Sequence, residues 1–471
     1  MSLRLYDTAS RSVRDFVPIT PGQVGIYLCG ATVQAAPHIG HLRPAVNFDV
    51  LRRWLERSGY RVTMVQNVTD IDDKILRKAD EAGEPFWSIA YRNEAAFRNG
   101  YAALGCLPVT YEPRATGHVP EMIALMKQLI DRGQAYAAGG DVYFDVHAYA
   151  EYGALSNQKL EHIRKAEDGD GGLKRDPRDF ALWKSAKAGE PAWDTPWGRG
   201  RPGWHLECSA MAHKYLGEEF DIHGGGLDLV FPHHENEIAQ SKAAGWGFAR
   251  YWLHQSWISM SGEKMSKSLG NVVSVQNLLT RARPAALRYY IAAPHYRSTI
   301  EYSEAALDEA VTAYGRIEQF VLRATEAVGD VDPALATLDE TFVNALNDDL
   351  NVPQALASVH AAVRDGNTAL AAADKEATIG CLGRVRAMLD TLGMDPLSLV
   401  WTASGTTAAS GSGEALRGVV DRLVAVALEQ RQAARARRDF AAADTIRDEL
   451  AAAGVVVEDT PAGPRWELRS S

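Results

Sequence analysis

Cysteine is scarce in this sequence of 471 residues, which has four copies, at Cys29, Cys106, Cys208 and Cys381. So few thiols, so far apart, do not form the disulfide framework of a secreted domain and are more typical of a protein of the reducing cytoplasm. A run of eighteen apolar residues is also absent, so we expect no membrane span. Charged residues interrupt the first twenty positions, which argues against an export signal.

Positive charge is not in excess either. The sequence has 50 Lys and Arg against 60 Asp and Glu, which gives a net charge of −10. A protein that binds nucleic acid over its whole surface would usually be basic. Because electrostatic fields act over roughly 8–10 Å in physiological salt, a local basic patch can still bind RNA. The acidic balance therefore limits the size of a nucleic-acid interface without excluding one.

Two well-known chemical signatures are missing. No G-x-x-x-x-G-K-[S/T] loop occurs, which disfavours a P-loop nucleotide enzyme. No H-E-x-x-H helix occurs, which argues against a zinc protease. The proportions of apolar residues (46%) and charged residues (23%) are those of an ordinary globular protein with a real core.

The first part of the chain alternates between strand and helix patterns. Residues 24–29, "VGIYLC", and 60–68, "YRVTMVQNV", are typical of buried strands. Between them, apolar residues recur every three to four positions through 38–59, which predicts a helix. Strand, helix, strand is the opening of a doubly wound parallel sheet, so we predict an α/β fold. The next helix is expected to begin with Thr69 or Asp70 as its N-cap.

Beyond residue 110 the pattern changes several times. The stretch up to 200 is irregular, helical periodicity dominates from about 283 to 400, and a Ser/Thr/Gly/Ala-rich segment typical of a flexible linker follows. Two helical patterns and a small hairpin come last. The predicted domains are an α/β domain (1–110 and 195–282), an inserted region (111–194), a helical bundle (283–400), the linker (401–414) and a small C-terminal domain (415–471).

The segment 231–240, "FPHHENEIAQ", concentrates side chains that bind metals. His233 and Glu237 are four residues apart and would share one face of a helix. A zinc site needs about four ligands. Cys29, at the end of the first strand, and Cys208 are the other candidates, because strand ends converge on the crevice of such a sheet. The alternative is that both thiols are small buried hydrophobes and that the His–Glu pair merely opens a helix.

The segment 37–41, "PHIGH", lies where the first strand meets the first helix. A helix N-terminus attracts phosphate through its free N–H groups and its dipole. Gly40 has no side chain to block a ligand that approaches the backbone, and His38 and His41 can donate hydrogen bonds to phosphate oxygens. A simple capping role for the two histidines is the alternative.

The segment 261–271, "SGEKMSKSLGN", places Lys264 and Lys267 in a loop bracketed by glycines. Two ammonium groups there can neutralise the charge that develops when pyrophosphate leaves ATP. The alternative is an exposed polar loop with ordinary solvated lysines.

The motifs "HIGH" (38–41) and "KMSKS" (264–268) resemble the two signatures of class I aminoacyl-tRNA synthetases, in the same order and about 226 residues apart. With "NVTDIDDKI", "GWHLECSAM" and "FPHHENEIAQ", they make nearly the whole chain similar to the cysteinyl-tRNA synthetase family. The resemblance implies a Rossmann-like catalytic domain with an insertion, a helical bundle that contacts the tRNA stem, and an anticodon-binding domain at the C-terminal end.

The resemblance also implies one zinc ion per chain, held by Cys29, Cys208, His233 and Glu237. Our hypothesis is that the sulfur of the substrate cysteine binds this zinc directly. Zinc favours thiolate ligands and deprotonates a coordinating thiol, whereas the hydroxyl of serine is a poorer ligand. A plain apolar pocket would separate such near-isosteres by only about a hundredfold. Selection by the metal would therefore need no editing step.

The implied reaction is activation of L-cysteine by ATP, with Mg²⁺, followed by transfer of the cysteinyl group to tRNA(Cys). Lys264 and Lys267 would stabilise the transition state, and Thr69 and Trp204 resemble positions near the amino acid. Without the resemblance, Thr69 is a helix cap and Trp204 a core aromatic residue. The implied ATP-binding residues are His38, Gly40, His41, Gly224, Gly225, Asp228 and Lys267. The alternative for Gly224, Gly225 and Asp228, which fits equally well, is a turn with a capping carboxylate.

The C-terminal region has arginines at 431, 435, 437 and 438, which can meet phosphates or stack on bases. A solvated helix face is the alternative. Trp466 is a further candidate for stacking on a base. The resemblance implies that the anticodon is read by Arg435, Phe440, Asp444 and Asp459.

Two competing interpretations remain. The cysteine ligase of mycothiol biosynthesis resembles this catalytic core, but it does not need the region 415–471. A non-catalytic RNA-binding scaffold is the other, and the intact His38, His41, Lys264 and Lys267 argue against it. We expect a cytoplasmic, monomeric enzyme whose partners are tRNA(Cys), ATP and L-cysteine, with no membrane.

Overall fold

The computed structural model of the chain describes residues 2–163, 172–260, 262–264, 273–404, 409–437, 439–452, 455–460 and 463–468. The chain divides into two compact units, Met1–Ser398 and Leu399–Ser471. No helix in the described part of the chain is long and apolar enough to cross a membrane.

The strands of the described residues form five small sheets. They are β1 (Arg4–Asp7), β2 (Ser12–Asp15), β3 (Gln23–Leu28), β4 (Arg61–Gln66), β5 (Ala135–Ala138), β6 (Asp141–Phe144), β7 (Phe180–Ser185), β8 (Gly200–Pro202), β9 (Glu219–Gly226), β10 (Phe248–Gln255), β11 (Ile258–Met260), β12 (Glu263–Lys264), β13 (Ile300–Glu301), β14 (Val455–Thr460) and β15 (Gly463–Leu468).

The helices lie between these strands in the first half of the chain and follow one another in the second half. They are α1 (Ile39–Arg57), α2 (Asp73–Ala82), α3 (Phe86–Ala103), α4 (Val119–Asp131), α5 (Trp204–Leu216), α6 (Glu235–Ala244), α7 (Val275–Arg281), α8 (Pro284–Ala292), α9 (Glu304–Val328), α10 (Glu340–Asn347), α11 (Val352–Ala371), α12 (Lys375–Thr391), α13 (Leu399–Ser404), α14 (Ala409–Ala436) and α15 (Phe440–Ala452).

The central sheet confirms the predicted α/β fold. Its four strands are all parallel in the order β10-β9-β3-β4. The chain leaves β3 through α1 to reach β4 on one side, and leaves β9 through α6 to reach β10 on the other. The connections therefore diverge between β3 and β9. In open parallel sheets, ligands bind at such a switch point, beyond the carboxyl ends of the strands.

A second sheet, β5-β6-β7-β8, is antiparallel and lies in the region predicted to be inserted. Its inner face shares one hydrophobic core with the central sheet. Fully buried members of this core include Tyr27 from β3, Leu129 from α4, Trp183 from β7 and Met211 from α5. The insert is therefore packed onto the central sheet.

Helices α8 to α12 form the predominantly helical region that the periodicity predicts, apart from the short strand β13. The C-terminal half of α1 packs against α8 and α12. Trp54 on α1 is 4% exposed, and its indole N–H donates to Asn347 Oδ1 on α10 over 3.2 Å. The helix that begins at the "HIGH" motif thus ends inside the helical bundle.

One predicted helix start is wrong. The N-cap of α2 is Asp72, whose side chain accepts a hydrogen bond from Lys74 N at 2.8 Å. Thr69 and Asp70 instead turn into the protein: Thr69 is 1% exposed, and Asp70 accepts hydrogen bonds from the N–H and the hydroxyl of Thr116. Asp70, Asp72 and Asp73 are all suited to the start of a helix, so the sequence alone does not show which residue is the N-cap.

The described part of the segment 401–414, which we expected to be a flexible linker, is helical. Helix α13 ends at Ser404 and α14 begins at Ala409, whereas residues 405–408 lie outside the described residues. Helix formation is cooperative, so a long helix that ends at Ala436 can extend back into a Ser- and Gly-containing stretch that also contains alanine. The domain boundaries themselves remain predictions.

The second unit contains α13 to α15 and the hairpin β14-β15, which confirms the small hairpin expected at the end of the chain. Its core is a cluster of Val424, Leu428 and Val455, with Leu450 and Trp466 packed against it. The candidate base-stacking residue Trp466 therefore contributes to the core of this unit.

Candidate active site and metal centre

The candidate site lies at the carboxyl ends of β3 and β9. Cys29 follows β3, and its N–H donates to Gly224 O on β9 over 2.9 Å. Gly30 N donates to Asn67 Oδ1 over 2.8 Å, and a Cβ added at Gly30 would lie 1.6 Å from the carbonyl oxygen of Asn67. Position 30 must therefore be glycine for the ends of β3 and β4 to approach each other.

Four buried side chains converge beyond Cys29. The Sγ atoms of Cys29 and Cys208 are 3.7 Å apart, and Cys29 Sγ lies 3.3 Å from Glu237 Oε1. His233 Nε2 lies 2.9 Å from the same carboxylate oxygen. One donor atom from each of Cys29, Cys208, His233 and Glu237 lies within 4.8 Å of the other three. The structure thus brings together the four residues that the sequence selects as metal ligands.

The donor set suits a zinc ion. Two thiolates bound tetrahedrally at about 2.3 Å lie about 3.8 Å apart, which matches the observed Sγ–Sγ distance of 3.7 Å. Thiolate, imidazole and carboxylate are all zinc ligands. All four residues are buried, at most 7% exposed, so their alignment is fixed by packing.

The electrostatics of the cluster also suit a cation. Burial would raise the pKa of Cys208, but the hydrogen bond from Cys29 and the nearby His233 bring it down to about 6. Burial and the neighbouring Cys208 raise the pKa of Cys29. At Glu237 the charges and hydrogen bonds of His223 and His233 overcome burial and lower the pKa. Burial would lower the pKa of His233, but Glu237 and Cys208 raise it to about 10, so in the absence of a cation this imidazole carries the charge that balances its acidic neighbours.

Three further histidines surround the cluster, and sequence reasoning missed their role. His223 Nε2 lies 2.8 Å from Glu237 Oε2, and His234 Nε2 lies 3.2 Å from Cys29 Sγ. His234 Nδ1 in turn lies 2.7 Å from His254 Nε2. Cys29, His223, His234 and Glu237 form a second set of four converging donors. His234 is fully buried.

Trp204 and Thr69 lie beside the cluster on different elements. Trp204 begins α5 and stacks on His233, with ring centroids 4.2 Å apart and an interplanar angle of 22°. It is only partly buried, so it does not occupy the core position that its residue type alone suggests. Thr69 Oγ1 donates to Glu207 Oε2 over 2.8 Å, one residue before Cys208.

The "HIGH" segment caps its own helix. His38 is the N-cap of α1, and its Nδ1 accepts from Gly40 N at 3.1 Å, while His41 Nδ1 accepts from His38 N at 3.2 Å. A Cβ at Gly40 would lie 2.9 Å from the His38 ring. The capping role is therefore present, and it holds both imidazoles at the helix N-terminus, with ring centroids 3.8 Å apart.

The two signature segments meet through the backbone. Ile39 N donates to Val273 O over 3.2 Å, and His38 pairs with Ser274 as an isolated bridge. Val273 and Ser274 directly follow the lysine segment. Lys264 closes the short strand β12, although the position of its side chain is not described, and Lys267 lies outside the described residues.

The glycines predicted to admit adenosine have a packing explanation. A Cβ at Gly224 would lie 2.0 Å from the Phe48 ring, and one at Gly225 would lie 2.7 Å from His234 Cε1. Asp228 is exposed just after β9, where a Cβ at Gly226 would lie 2.5 Å from its Oδ1. The ATP-binding role of Gly224, Gly225 and Asp228 remains a prediction.

The residues predicted to read the anticodon lie in the second unit. Arg435 is exposed near the end of α14, Phe440 is 60% exposed at the start of α15, and Asp444 is exposed one turn later. Asp459 lies on β14. Arg431 is 7% exposed, so it does not join the basic face that the sequence suggested.

Three protein families match the sequence. The family described as "tRNA synthetases class I (C) catalytic domain" matches residues 15–312, "DALR domain" matches 341–398, and "Cysteinyl-tRNA ligase anticodon binding domain" matches 423–466. The first of these alone covers more than half of the chain.

Similar proteins span the whole chain. A cysteine–tRNA ligase of Streptomyces coelicolor is 62% identical over all of this chain and 76% of its own length. Those of Streptomyces avermitilis (61% identical, 99% of both chains) and Beutenbergia cavernae (57% identical, 100% of both chains) are similar end to end.

Solved structures agree on the fold. A methionyl-tRNA synthetase of Mycobacterium tuberculosis in complex with methionyl-adenylate matches with a TM-score of 0.60 at 15% identity, over 80% of this chain and 92% of that one. A leucyl-tRNA synthetase complex of Agrobacterium radiobacter matches with a TM-score of 0.59 at 11% identity, over 83% and 86% of the two chains.

Proposed function

The chain belongs to the cysteinyl-tRNA synthetase family, and from this premise we propose how its residues divide the work of a cysteine–tRNA ligase. In the first step the carboxylate of L-cysteine attacks the α-phosphate of ATP, giving cysteinyl-adenylate and pyrophosphate. In the second, a terminal ribose hydroxyl of tRNA(Cys) attacks the adenylate carbonyl. The observation that carries this assignment is the convergence of Cys29, Cys208, His233 and Glu237 at the switch point of the sheet.

We assign these four side chains to one zinc ion. When bound there, zinc would favour a thiolate over an alcohol and so distinguish cysteine from serine. The chain's own residues orient this site. His223 holds Glu237 Oε2, and the indole of Trp204 packs on the ring of His233 and fixes its tilt. Thr69 is hydrogen-bonded to Glu207, the residue before Cys208, and is proposed to help to bind the amino acid.

We assign the ATP phosphates to the N-terminus of α1. The dipole of the helix favours an anion there, and the imidazoles of His38 and His41, held by their capping hydrogen bonds, are the proposed donors to it. Lys264 and Lys267 follow β11, and the segment after them pairs with His38 and Ile39. Their ammonium groups would stabilise the charge of the leaving pyrophosphate. Mg²⁺ accompanies ATP in this proposal and needs few protein ligands.

We assign the RNA contacts to the second unit, together with the helical bundle. Arg435, Phe440, Asp444 and Asp459 are the proposed anticodon contacts, supported by the family match over 423–466. We also propose that the domain boundaries lie at residues 110, 194, 282, 400 and 414. We further propose that the enzyme acts as a monomer in the cytoplasm.

The activity is tested by cysteine-dependent ATP–pyrophosphate exchange, followed by charging of tRNA(Cys). We expect exchange with cysteine and charging of the tRNA. Exchange with transfer only to an aminosugar would support the ligase of mycothiol biosynthesis, and no exchange at all would support a non-catalytic scaffold. The selectivity role of the metal is tested by activation of serine, since zinc-depleted enzyme that still rejects serine equally well would contradict it.

The ligand set is tested by metal analysis with a competing chelator. Cys208→Ala removes a donor from the assigned set, so we expect it to weaken zinc binding more than a hundredfold. His234→Gln removes a donor only from the second set, so we expect a smaller loss of about 10- to 100-fold, as for a residue that orients a ligand. The reverse order would place the metal in the set with His223 and His234.

A further inference from the structure

The assigned metal ligands have hydrogen-bond partners outside the cluster. Such partners orient the ligands of a metal site and tune the metal. His223 Nε2 lies 2.8 Å from Glu237 Oε2, and His234 Nε2 lies 3.2 Å from Cys29 Sγ. The carboxylate and the first thiol are therefore each held by a buried imidazole.

The other two ligands differ in this respect. His233 Nδ1 lies 3.1 Å from His205 Nδ1, so its imidazole also has an outer partner. Cys208 Sγ lies 3.7 Å from Cys29 Sγ and is hydrogen-bonded to His233, and both of these partners are assigned ligands themselves. A metal-bound thiolate has no proton, and a metal-bound imidazole nitrogen has no N–H. Metal binding therefore leaves Cys208 without either of these donors.

Tyr27 lies where a donor to Cys208 is required. It is two residues before Cys29, near the carboxyl end of β3, so the alternation of the strand points both side chains to the same face of the sheet. Tyr27, Cys29 and Cys208 belong to one buried cluster. The ring of Tyr27 packs edge-on against that of His223, with centroids 5.3 Å apart and an interplanar angle of 67°. Packing therefore fixes the position of the phenol.

The hydroxyl of Tyr27 is buried and unpartnered. Tyr27 is 0% exposed, and its oxygen makes no hydrogen bond of normal geometry with any residue that the structure describes. Buried phenols usually find an acceptor, as Tyr314 does at Met394 O (3.0 Å) and Tyr152 does at Asn236 Oδ1. A spare donor beside a metal site is explained if metal binding supplies its acceptor.

The neighbours of this hydroxyl indicate which atom accepts from it. Burial raises the pKa of Tyr27 well above its usual value, and the nearby Cys208, Cys29 and Glu237 raise it further, with Cys208 the strongest of the three. The phenol therefore keeps its proton at neutral pH and acts as a donor. Cys29 and Glu237 already have histidine partners, and an ionised acceptor forms the stronger hydrogen bond. The thiolate of Cys208 is thus the acceptor that remains.

We propose that the hydroxyl of Tyr27 donates a hydrogen bond to the metal-bound thiolate of Cys208 and so positions this ligand. The inference rests on the proposed function for the identity of the metal. A hydrogen bond to the sulfur withdraws electron density from it, so the Cys208 thiolate donates less charge to the metal. The site then favours the incoming thiol of the substrate more strongly. Tyr27 acts through Cys208 and is a positioning residue.

The test is Tyr27→Phe, which removes the hydroxyl and keeps the ring. We expect the affinity for zinc, measured by competition with a chelator, to fall about 10- to 100-fold, the usual effect of removing an outer partner of a ligand. With Co²⁺ in place of zinc, the thiolate-to-metal charge-transfer band should move to lower energy, because the sulfur is no longer stabilised by a hydrogen bond. This band reports on the thiolate ligands, so a merely structural role of Tyr27 would not move it.

The matched control is Tyr290→Phe. Tyr290 lies on α8, is 5% exposed and likewise has a hydroxyl without a partner in the described part of the chain, but the titratable groups beside it are Tyr302, Arg43 and Glu301. Its replacement should leave the zinc affinity and the Co²⁺ band unchanged. In both variants the urea midpoint of the metal-free protein should stay the same or rise, since each variant loses a buried polar group that has no partner.

Wild-type zinc affinity and an unmoved Co²⁺ band in Tyr27→Phe would overturn the proposal. An equal loss of zinc affinity in Tyr290→Phe would overturn it too, as would a lowered urea midpoint with an unmoved band in Tyr27→Phe, because Tyr27 would then act through packing alone. A wild-type protein that binds zinc but does not exchange pyrophosphate with cysteine would count against the proposed function only, since the zinc affinities would still decide the role of Tyr27. A wild-type protein that binds no zinc would contradict both.

Discussion

Arg43 is a buried cation close to the candidate active site. It lies on α1, two residues after His41, and is 1% exposed. Its guanidinium donates to the carbonyl oxygens of Trp257 (2.6 Å), His295 (3.2 Å), Tyr296 (3.4 Å) and Ser298. Burial lowers its pKa to about 10, so it remains charged at pH 7. Trp257 directly precedes β11, and β11 leads to the segment that contains Lys264 and Lys267. Arg43 therefore connects the helix that begins at the "HIGH" motif with the strand that leads to the "KMSKS" motif.

Replacement Arg43→Met should therefore slow the chemistry more than it weakens substrate binding. We expect kcat of cysteine-dependent exchange to fall roughly 10- to 100-fold, because small misplacements of reacting groups have effects of this size. KM for cysteine should change little, and Arg43→Lys should recover part of kcat, since it restores the charge without the planar fork. The measurement is steady-state exchange kinetics.

The matched control is Arg52→Met, on the same helix but with its side chain on Glu56 and Pro108 O. It should keep kcat near that of the wild type. If both variants lose kcat equally, or if Arg43→Met lowers only the melting temperature, Arg43 is structural and does not position the site.

At single positions, the sequence predicted which side chains can ligate a metal, but it did not predict the direction in which each side chain faces. Cys29, Cys208, His233 and Glu237 were selected because each can ligate zinc, and the structure brings them together. Nothing in the spacing of "HH" distinguishes which histidine faces Cys29 directly, and His234 does so at 3.2 Å. Position 224 is likewise a glycine because the Phe48 ring leaves no room there for a side chain. This contact joins distant parts of the chain, so no local pattern predicts it.

At the scale of elements, helix packing in the bundle depends on one glycine. Gly366 on α11 faces α9, and a Cβ there would lie 2.3 Å from Phe320 Cζ and 3.1 Å from Cys381 Cβ. Phe320 is fully buried, so its ring has little space in which to move. We expect Gly366→Ala to lower the free energy of unfolding by about 1–3 kcal/mol, the usual effect of overpacking. Urea denaturation followed by circular dichroism measures it.

The control is Gly315→Ala on α9, where an added Cβ has nothing within 4 Å. Because alanine is the better helix former, this change should raise the free energy of unfolding by about 0.5–1 kcal/mol. Equal effects of the two substitutions would show that the contact with Phe320 does not limit the packing.

Periodicity predicted the first strand, helix and strand of the α/β domain. The expected strand 24–29 is β3, the expected helix 38–59 is α1, and the expected strand 60–68 is β4, each within three residues at either end. These elements are long and strongly patterned, so local sequence determines them. The wrong helix cap and the helical parts of the segment 401–414 that the structure describes are places where several residues or conformations have similar free energies, and tertiary packing or helix propagation decides between them.

At the scale of the first unit, α1 connects the candidate active site with the helical bundle. Its N-terminus holds His38 and His41, and its C-terminal half carries Asp49, Arg53 and Trp54 into contact with later helices. The α/β class was predictable from the order of elements. The way α1 bridges to α8, α10 and α12 was not, because it depends on pairs such as Asp49 and Arg288, which are 239 residues apart.

The Asp49–Arg288 pair is the centre of that bridge. Asp49 is 3% exposed, and its Oδ2 accepts from Arg288 Nη2 at 2.5 Å and from Arg53 Nε at 2.7 Å. Arg288 is fully buried and also donates to Leu392 O and Leu104 O. Burial alone would raise the pKa of Asp49, but the charges of Arg288 and Arg53 outweigh it and hold the pKa below its usual value.

A lowered pKa in the folded state fixes the sign of the pH dependence. The unfolded carboxyl titrates near pH ~3.9. Above that pH the ionised Asp49 contributes its full stabilisation, and the contribution is lost as the pH falls from about 4 through the lower pKa of the folded protein. Asp49→Asn should lower the free energy of unfolding of the first unit at pH 7 by about 3 kcal/mol or more, because it leaves a buried guanidinium without its carboxylate.

The difference in the free energy of unfolding between wild type and Asp49→Asn should narrow as the pH falls below about 4, because the wild type there loses the stabilisation that the variant already lacks. Urea denaturation at a series of pH values, followed by tryptophan fluorescence, measures both curves. Asp348→Asn is the control, because its pair with Arg4 is exposed and 3.7 Å long, and such surface pairs contribute little. A difference that stays constant from pH 7 to pH 3 would mean that Asp49 stabilises α1 through packing and neutral hydrogen bonds, and the charge-based connection between the candidate active site and the bundle would be wrong.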